Sequence, residues 1–180
     1  MTDCVLRGRL VLEDSVVEDG IIEIDGSTIT RVCPASDYDA DLPAAADSTF
    51  LPGLVDVHCH GGGGESFPNA QSEEAALVAV MEHRRHGTTS LVASCVTASA
   101  EVLRARAKTL AQLASDGELA GIHFEGPFVS HARCGAQDPT YIIDPDAELT
   151  RTLLEECRGY ALSMTLAPEK PSANGPGSTT

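Results

Sequence analysis

The chain has 180 residues, 42% apolar and 22% charged, the balance of an ordinary folded domain and neither collagen-like nor wholly disordered. Acidic residues number 27 against 12 basic ones, and the resulting formal net charge of −15 disfavours nucleic acid and anionic lipid as partners. No apolar run approaches the ~18 residues a membrane-spanning helix needs, and Met1-Thr2-Asp3-Cys4 lacks the basic-then-apolar order of a secretory leader. The six cysteines contain no CxxC pair, so reduced thiols in a cytoplasmic protein are expected.

Residues 1–33 read as a small antiparallel β unit. Cys4 to Leu12 is one apolar run, and Val16-Val17, Ile21–Ile24 and Thr28–Val32 follow, separated by turns at Glu18-Asp19-Gly20 and Asp25-Gly26. Residues 34–50, rich in Pro, Ala and Asp, read as a connection. The pattern then changes. Leu54–Val57 predicts a buried strand, and Ser72 caps a helix with Ala76, Leu77, Val80 and Met81 as its stripe, ended by Gly87. Thr88–Val96 is the next strand. Ser99 caps a helix carrying Leu103, Ala107, Leu110 and Ala114, and Leu119–Phe124 is a third strand. A polar loop covers 126–143, Asp144-Pro145 opens a helix running to about Cys157, and Tyr160–Leu166 is a fourth strand. Alternating strands and helices over 51–169 predict βαβ units and a parallel sheet. Four such units could make a small open sheet or half of an eight-stranded barrel. Residues 170–180 read as a disordered tail.

His58-Cys59-His60 ends the first of these strands. Alternation points His58 and His60 one way, ~6–7 Å apart along the strand, with Cys59 opposite. Two imidazoles so placed can share a metal ion, and Gly61–Gly64 leaves room beside them. The pair could also be merely structural. Asp56 alternates onto the histidine face. Glu125 ends an apolar strand before Gly126-Pro127 and is either a solvated loop acid or a functional group at a barrel mouth, able to bind metal or act as a base. His123 shares its face and reads as a packed histidine. His83 and His86 read as a polar helix end, and His131 and Arg133 as either solvated or favouring an anionic substrate. Cys95 and Cys134 read as idle thiols.

Leu51-Pro-Gly-Leu-Val-Asp-Val-His-Cys-His-Gly61 resembles the opening metal motif of the amidohydrolase superfamily. His123-Phe-Glu-Gly-Pro-Phe128, Gly135-Ala136-Gln137 and Thr165-Leu-Ala-Pro-Glu169 are similar to segments of its N-acetylglucosamine-6-phosphate deacetylase family. The resemblance implies an α/β fold, the N-terminal portion of a (β/α)8 metal-dependent hydrolase barrel preceded by a small β-sandwich segment made from both chain ends. Glu125 would be a metal ligand, with His58 and His60 matching the pair of those members that hold a second metal. The cofactor would be one or two divalent ions (zinc, iron, manganese or cobalt). Ala136 and Gln137 would contact a phosphorylated amino sugar, Gln137 standing where histidine is common. The general-base aspartate is expected downstream of this chain, so a chain of this length is expected to be inactive. The alternatives are a non-catalytic remnant, an interaction fragment or another amidohydrolase acting on a different N-acyl or cyclic amide. Open first and fourth strands of a half barrel predict a homodimer or other self-association.

Overall fold

The computed structural model describes residues 3–170, so the expected tail lies outside the described residues except for Lys170. The chain forms two compact units, Met1–Gly53 and Leu54–Thr180.

In the first unit, β1 (Cys4–Val11), β2 (Val16–Asp25) and β3 (Thr28–Pro34) form an antiparallel meander, and the short β4 (Thr49–Phe50) runs parallel to β1. The sheet order is β3-β2-β1-β4. The turn at Gly26 is present and its N–H donates to Asp3. The turn expected at Glu18-Asp19-Gly20 is not: β2 runs straight through it. Gly8 pairs with Gly20 and Leu10 with Val17, so an extra residue is absorbed there as a bulge. The two acids are held by ion pairs across the ladder, Asp19 to Arg7 at 2.8 Å and Glu18 to Arg9 at 3.2 Å. Leu10 and Ile21 form the buried centre of the unit.

The second unit is α/β. Its elements are β5 (Leu54–Cys59), the small hairpin β6 (Gly61–Gly62) and β7 (Glu65–Ser66), α1 (Glu73–Arg85), β8 (Thr88–Val96), α2 (Ala100–Ser115), β9 (Gly121–Glu125), α3 (Ala147–Glu156) and β10 (Ala161–Thr165). Four strands form one parallel sheet in the order β10-β9-β8-β5. Ser72 and Ser99 cap α1 and α2, accepting from Ala75 N–H and Val102 N–H. The α3 cap departs from expectation. Asp146, not Asp144, accepts from Glu148 and Leu149 N–H, because its carboxylate stands directly before the first turn. Asp144 instead meets Lys170 at 2.7 Å.

Sheet faces are segregated by the period-2 alternation of side chains. Leu91, Ala93 and Cys95 of β8 and Ile122 and Phe124 of β9 bury against Ala76, Ala79 and Val80 of α1, Leu103, Ala107 and Leu110 of α2, and Leu153 of α3. Met81, expected in the α1 stripe, is 43% exposed. The opposite face carries Ser94, His123 and Glu125. No described helix is long and apolar enough to cross a membrane.

Candidate metal centre

The polar face of the parallel sheet gathers its chemistry at the C-terminal strand tips. Ser94 pairs with His123 and Val96 with Glu125 across β8 and β9, so alternation puts His123 and Glu125 on one face. His58 and His60 approach from the end of β5. His58 Nε2 lies 3.0 Å from His60 Nε2 and 3.2 Å from Glu125 Oε2, and His60 Nε2 lies 2.9 Å from the same oxygen. These three donor atoms form a nearly equilateral triangle whose corners lie ~1.8 Å from its centre. A zinc-sized ion with bonds of ~2.0–2.2 Å fits just above that plane and keeps positions open on its far side. The donor set of two imidazoles and a carboxylate suits a divalent first-row ion.

Neighbouring groups fix these side chains. His60 Nδ1 donates to the Ser94 carbonyl at 3.1 Å. Since a carbonyl only accepts, the proton sits on Nδ1 and the Nε2 lone pair is free for a cation. His123 packs its ring edgewise on His58, centroids 4.6 Å apart. Its nitrogens reach Ser94 Oγ and Thr165 Oγ1, both at 2.9 Å. Desolvation, with His58 beside it, holds the His123 imidazole below its ordinary pKa and so keeps it neutral. Glu125 is anchored through its own carbonyl, which accepts from Thr97 Oγ1 at 3.4 Å. Gly126, at φ +92°, brings its Cα against that threonine, where a Cβ would stand 2.2 Å from Oγ1.

A cleft of 480 Å³ opens beside the triad, lined by His58 and His123 with Val57, Val92, Leu162 and Met164. That volume is within the range of small-molecule sites. Gln137 stands at the β8 tip, its Oε1 accepting from Thr97 N–H at 2.7 Å. The bond occupies the amide oxygen and leaves the NH₂ group to point elsewhere. Ala136 is exposed on the same loop. His131 and Arg133 lie exposed in a short 3₁₀ turn.

Asp56 does not join the histidine pair. The β5–β8 register pairs Asp56 with Leu91 but Cys59 with Ala93, three residues on one strand against two on the other. This bulge turns Asp56 to the helix-facing side, where its Oδ1 accepts from His58 N–H at 3.1 Å. His83 is likewise no mere helix end. Its Nε2 lies 3.1 Å from Cys59 Sγ and 3.0 Å from the Gly61 carbonyl. The Asp56 contact follows from the bulge, which simple alternation cannot reveal, and the His83 contact from the packing of α1 against the end of β5. Burial, countered in part by a hydrogen bond to the Gly61 backbone, raises the Cys59 thiol above its ordinary pKa. His86 behaves as expected, bonding back to the Glu82 carbonyl at 2.9 Å. Burial pushes the Cys95 thiol up to about 12.

A parallel sheet with helices on one face thus brings two imidazoles and an acid together at its strand tips, a donor set that could hold a divalent ion. The chain belongs to the amidohydrolase family, whose sequence model matches residues 49–177. It is 37% identical over 173 residues to the N-acetylglucosamine-6-phosphate deacetylase of Bacillus subtilis, covering 89% of this chain and 43% of that protein. An N-acetylgalactosamine-6-phosphate deacetylase from Shewanella is 33% identical over 158 residues. The structure of a Mycobacterium smegmatis N-acetyl-D-glucosamine-6-phosphate deacetylase variant, in complex with N-acetyl-D-glucosamine-6-phosphate, superposes with a TM-score of 0.84 at 35% identity. It matches 96% of this chain and 45% of its own. The chain thus spans less than half the length of these relatives.

Proposed function

We propose that this chain forms the metal-holding wall of an enzyme that hydrolyses the acetamide of N-acetylglucosamine 6-phosphate to glucosamine 6-phosphate and acetate. The convergence of His58, His60 and Glu125 within 2.9–3.2 Å carries this reading. A bound divalent ion supplies Lewis acidity toward the acetamide oxygen and lowers the pKa of water. His60, with its proton held on Nδ1 by the Ser94 carbonyl, presents a lone pair, while Glu125 supplies negative charge. His123 stays neutral and keeps the His58 ring in place. Gln137 offers its NH₂ to sugar oxygens, with Ala136 beside it. An aspartate that shuttles the proton from water to the leaving amine, further ligands and the phosphate contacts would, in this reading, come from the part of the relatives that this chain does not span. In this reading the parallel sheet is half of a (β/α)8 barrel, the first unit belongs to a small β-sandwich, and the protein works in the cytoplasm.

The test is a chimera in which this chain replaces the matching portion of the Bacillus subtilis relative. Acetate release from N-acetylglucosamine 6-phosphate is expected, with Glu125→Ala abolishing it. A chimera that melts cooperatively and hydrolyses other N-acyl compounds but not this sugar phosphate overturns the substrate assignment. The 180-residue chain alone is expected to hold a metal ion at the triad without releasing acetate. Loss of no retained metal in His58→Ala/Glu125→Ala refutes the triad.

For the isolated chain, exposed apolar side chains on the sheet's two edge strands favour a second reading, self-association. Val55 and Val57 of β5 are 67% and 66% exposed, and Leu162 of β10 is 59% exposed. Each of these strands pairs on one side only among the described residues, which leaves edges open to a second copy. A monodisperse monomer by light scattering is the contrary result.

A further inference from the structure

We propose that Asp56, Cys59 and His83 form a second cation site, separate from the histidine–glutamate triad, that takes a borderline-soft divalent ion of the zinc class and ties the end of β5 to α1. One ligand atom from each of the three lies within 4.8 Å of the others. The thiol and imidazole are already 3.1 Å apart, and a tetrahedral zinc ion wants its sulfur and nitrogen donors ~3.5 Å apart, an opening of a few tenths of an ångström. A fourth oxygen is within reach, since the Gly61 carbonyl lies 3.0 Å from His83 Nε2 and 3.6 Å from Cys59 Sγ.

The donor types decide the class of ion. Calcium and magnesium select all-oxygen cages, whereas thiolate with imidazole and carboxylate selects zinc and its neighbours. The backbone is shaped for the imidazole. A Cβ on Gly62 would stand 2.9 Å from His83 Nε2, so a side chain there would push the ring away from the loop. Two elements distant in sequence supply the ligands, Asp56 and Cys59 from the β5 bulge and His83 from the last turn of α1. Cys59 is only 6% exposed, while Asp56 and His83 are half-buried, so the site is enclosed on the thiol side and open on the other. Before loading, the Gly61 carbonyl, which only accepts, holds the ring proton on His83 Nε2. Loading displaces the thiol proton to solvent and shifts the ring proton to Nδ1, so that Nε2 presents its lone pair and the carbonyl oxygen turns to the ion. The site requires nothing of the deacetylase reading and stands if that reading fails.

The experiment is a cobalt(II) titration of the full chain, reading the near-ultraviolet thiolate-to-cobalt charge-transfer absorption. The His58→Ala/Glu125→Ala variant removes the triad through partly exposed side chains. It is expected to keep the thiolate band and bind one equivalent. Cys59→Ser is expected to abolish the band while the chain still binds one equivalent at the triad, and His83→Gln to weaken the band's midpoint at least tenfold. Absence of a thiolate band in His58→Ala/Glu125→Ala overturns the proposal, as does a band that survives Cys59→Ser. If Cys59→Ser does not melt cooperatively, His83→Gln and Asp56→Asn decide, and a titration midpoint unchanged in both is equally fatal.

Discussion

The hydrogen bond between Ser94 and His123 makes a prediction whose size can be worked out. Replacing His123 by Phe keeps a ring against His58 but removes both nitrogens. Thr165 is exposed, so water replaces its lost partner at little cost. Ser94 is 0% exposed, so its hydroxyl is left without a partner in a dry position. That costs about 1–3 kcal/mol. In a chain of this size each kcal/mol lowers Tm by about 2–4 °C, so a fall of roughly 2–12 °C is expected in a melt followed by circular dichroism. Ser94→Ala added to His123→Phe removes the stranded hydroxyl as well, and the pair is expected to recover at least ~1 kcal/mol over the sum of the single variants. Urea unfolding with unchanged m-values provides the free energies. A double variant whose loss equals that sum refutes the reasoning, because the two side chains would then act independently.

The α3 cap yields a paired test. Asp146→Ala is expected to cost about 1 kcal/mol in urea unfolding, since its Oδ1 accepts from both Glu148 and Leu149 N–H. Asp144→Ala, which loses only a surface pair with Lys170, should stay within ~0.5 kcal/mol. Gly126→Ala forces a Cβ into the left-handed region and onto Thr97, at a cost of about 1–3 kcal/mol. Equilibrium dialysis should show weaker metal retention there, because Glu125 is the adjoining residue. Buried Cys95 sets an alkaline limit. Its thiol rises from 9.0 to about 12 on folding, so the unfolded chain releases a proton that the folded chain keeps. The contribution is fully present below pH 9 and is lost as the pH climbs from 9 toward 12. Cysteine 157 behaves the same way, and a Cys95→Ala/Cys157→Ala variant should flatten the fall of the urea midpoint across that interval.

Repeating local signals carried most of the architecture. Serine caps at 72 and 99, the apolar period of α2 and the continuous run Thr88–Val96 each state their element within a dozen residues, and all four stand where expected. The pairing of His58 and His60 on one side of β5 was legible from alternation, and the approach of Glu125 rested on a glycine-proline break plus family likeness. What escaped was set by ladders that sequence does not display. A bulge needs two strands to exist. The misread turn at Glu18-Asp19 and the misplaced face of Asp56 are both bulges, one opposite Gly8-Arg9 and the other beside β8. His83 was unreadable for a different reason, since its partner Cys59 is brought to it only by strand-to-helix packing. Asp144 and Asp146 differ by two positions and both precede a helical stripe, so composition alone does not choose between them.

The two histidines that border Ser94 are secured in ways that evolve differently. His60 leans on the main-chain oxygen of residue 94, which every amino acid possesses. His123 leans on the hydroxyl of the same residue, which only serine or threonine supplies. A neutral drift at position 94 therefore leaves the tautomer of His60 intact while unseating His123. Tolerance at this one codon should divide a population of variants into those that keep the imidazole at residue 60 aimed but lose rigidity at residue 123 and those that keep both.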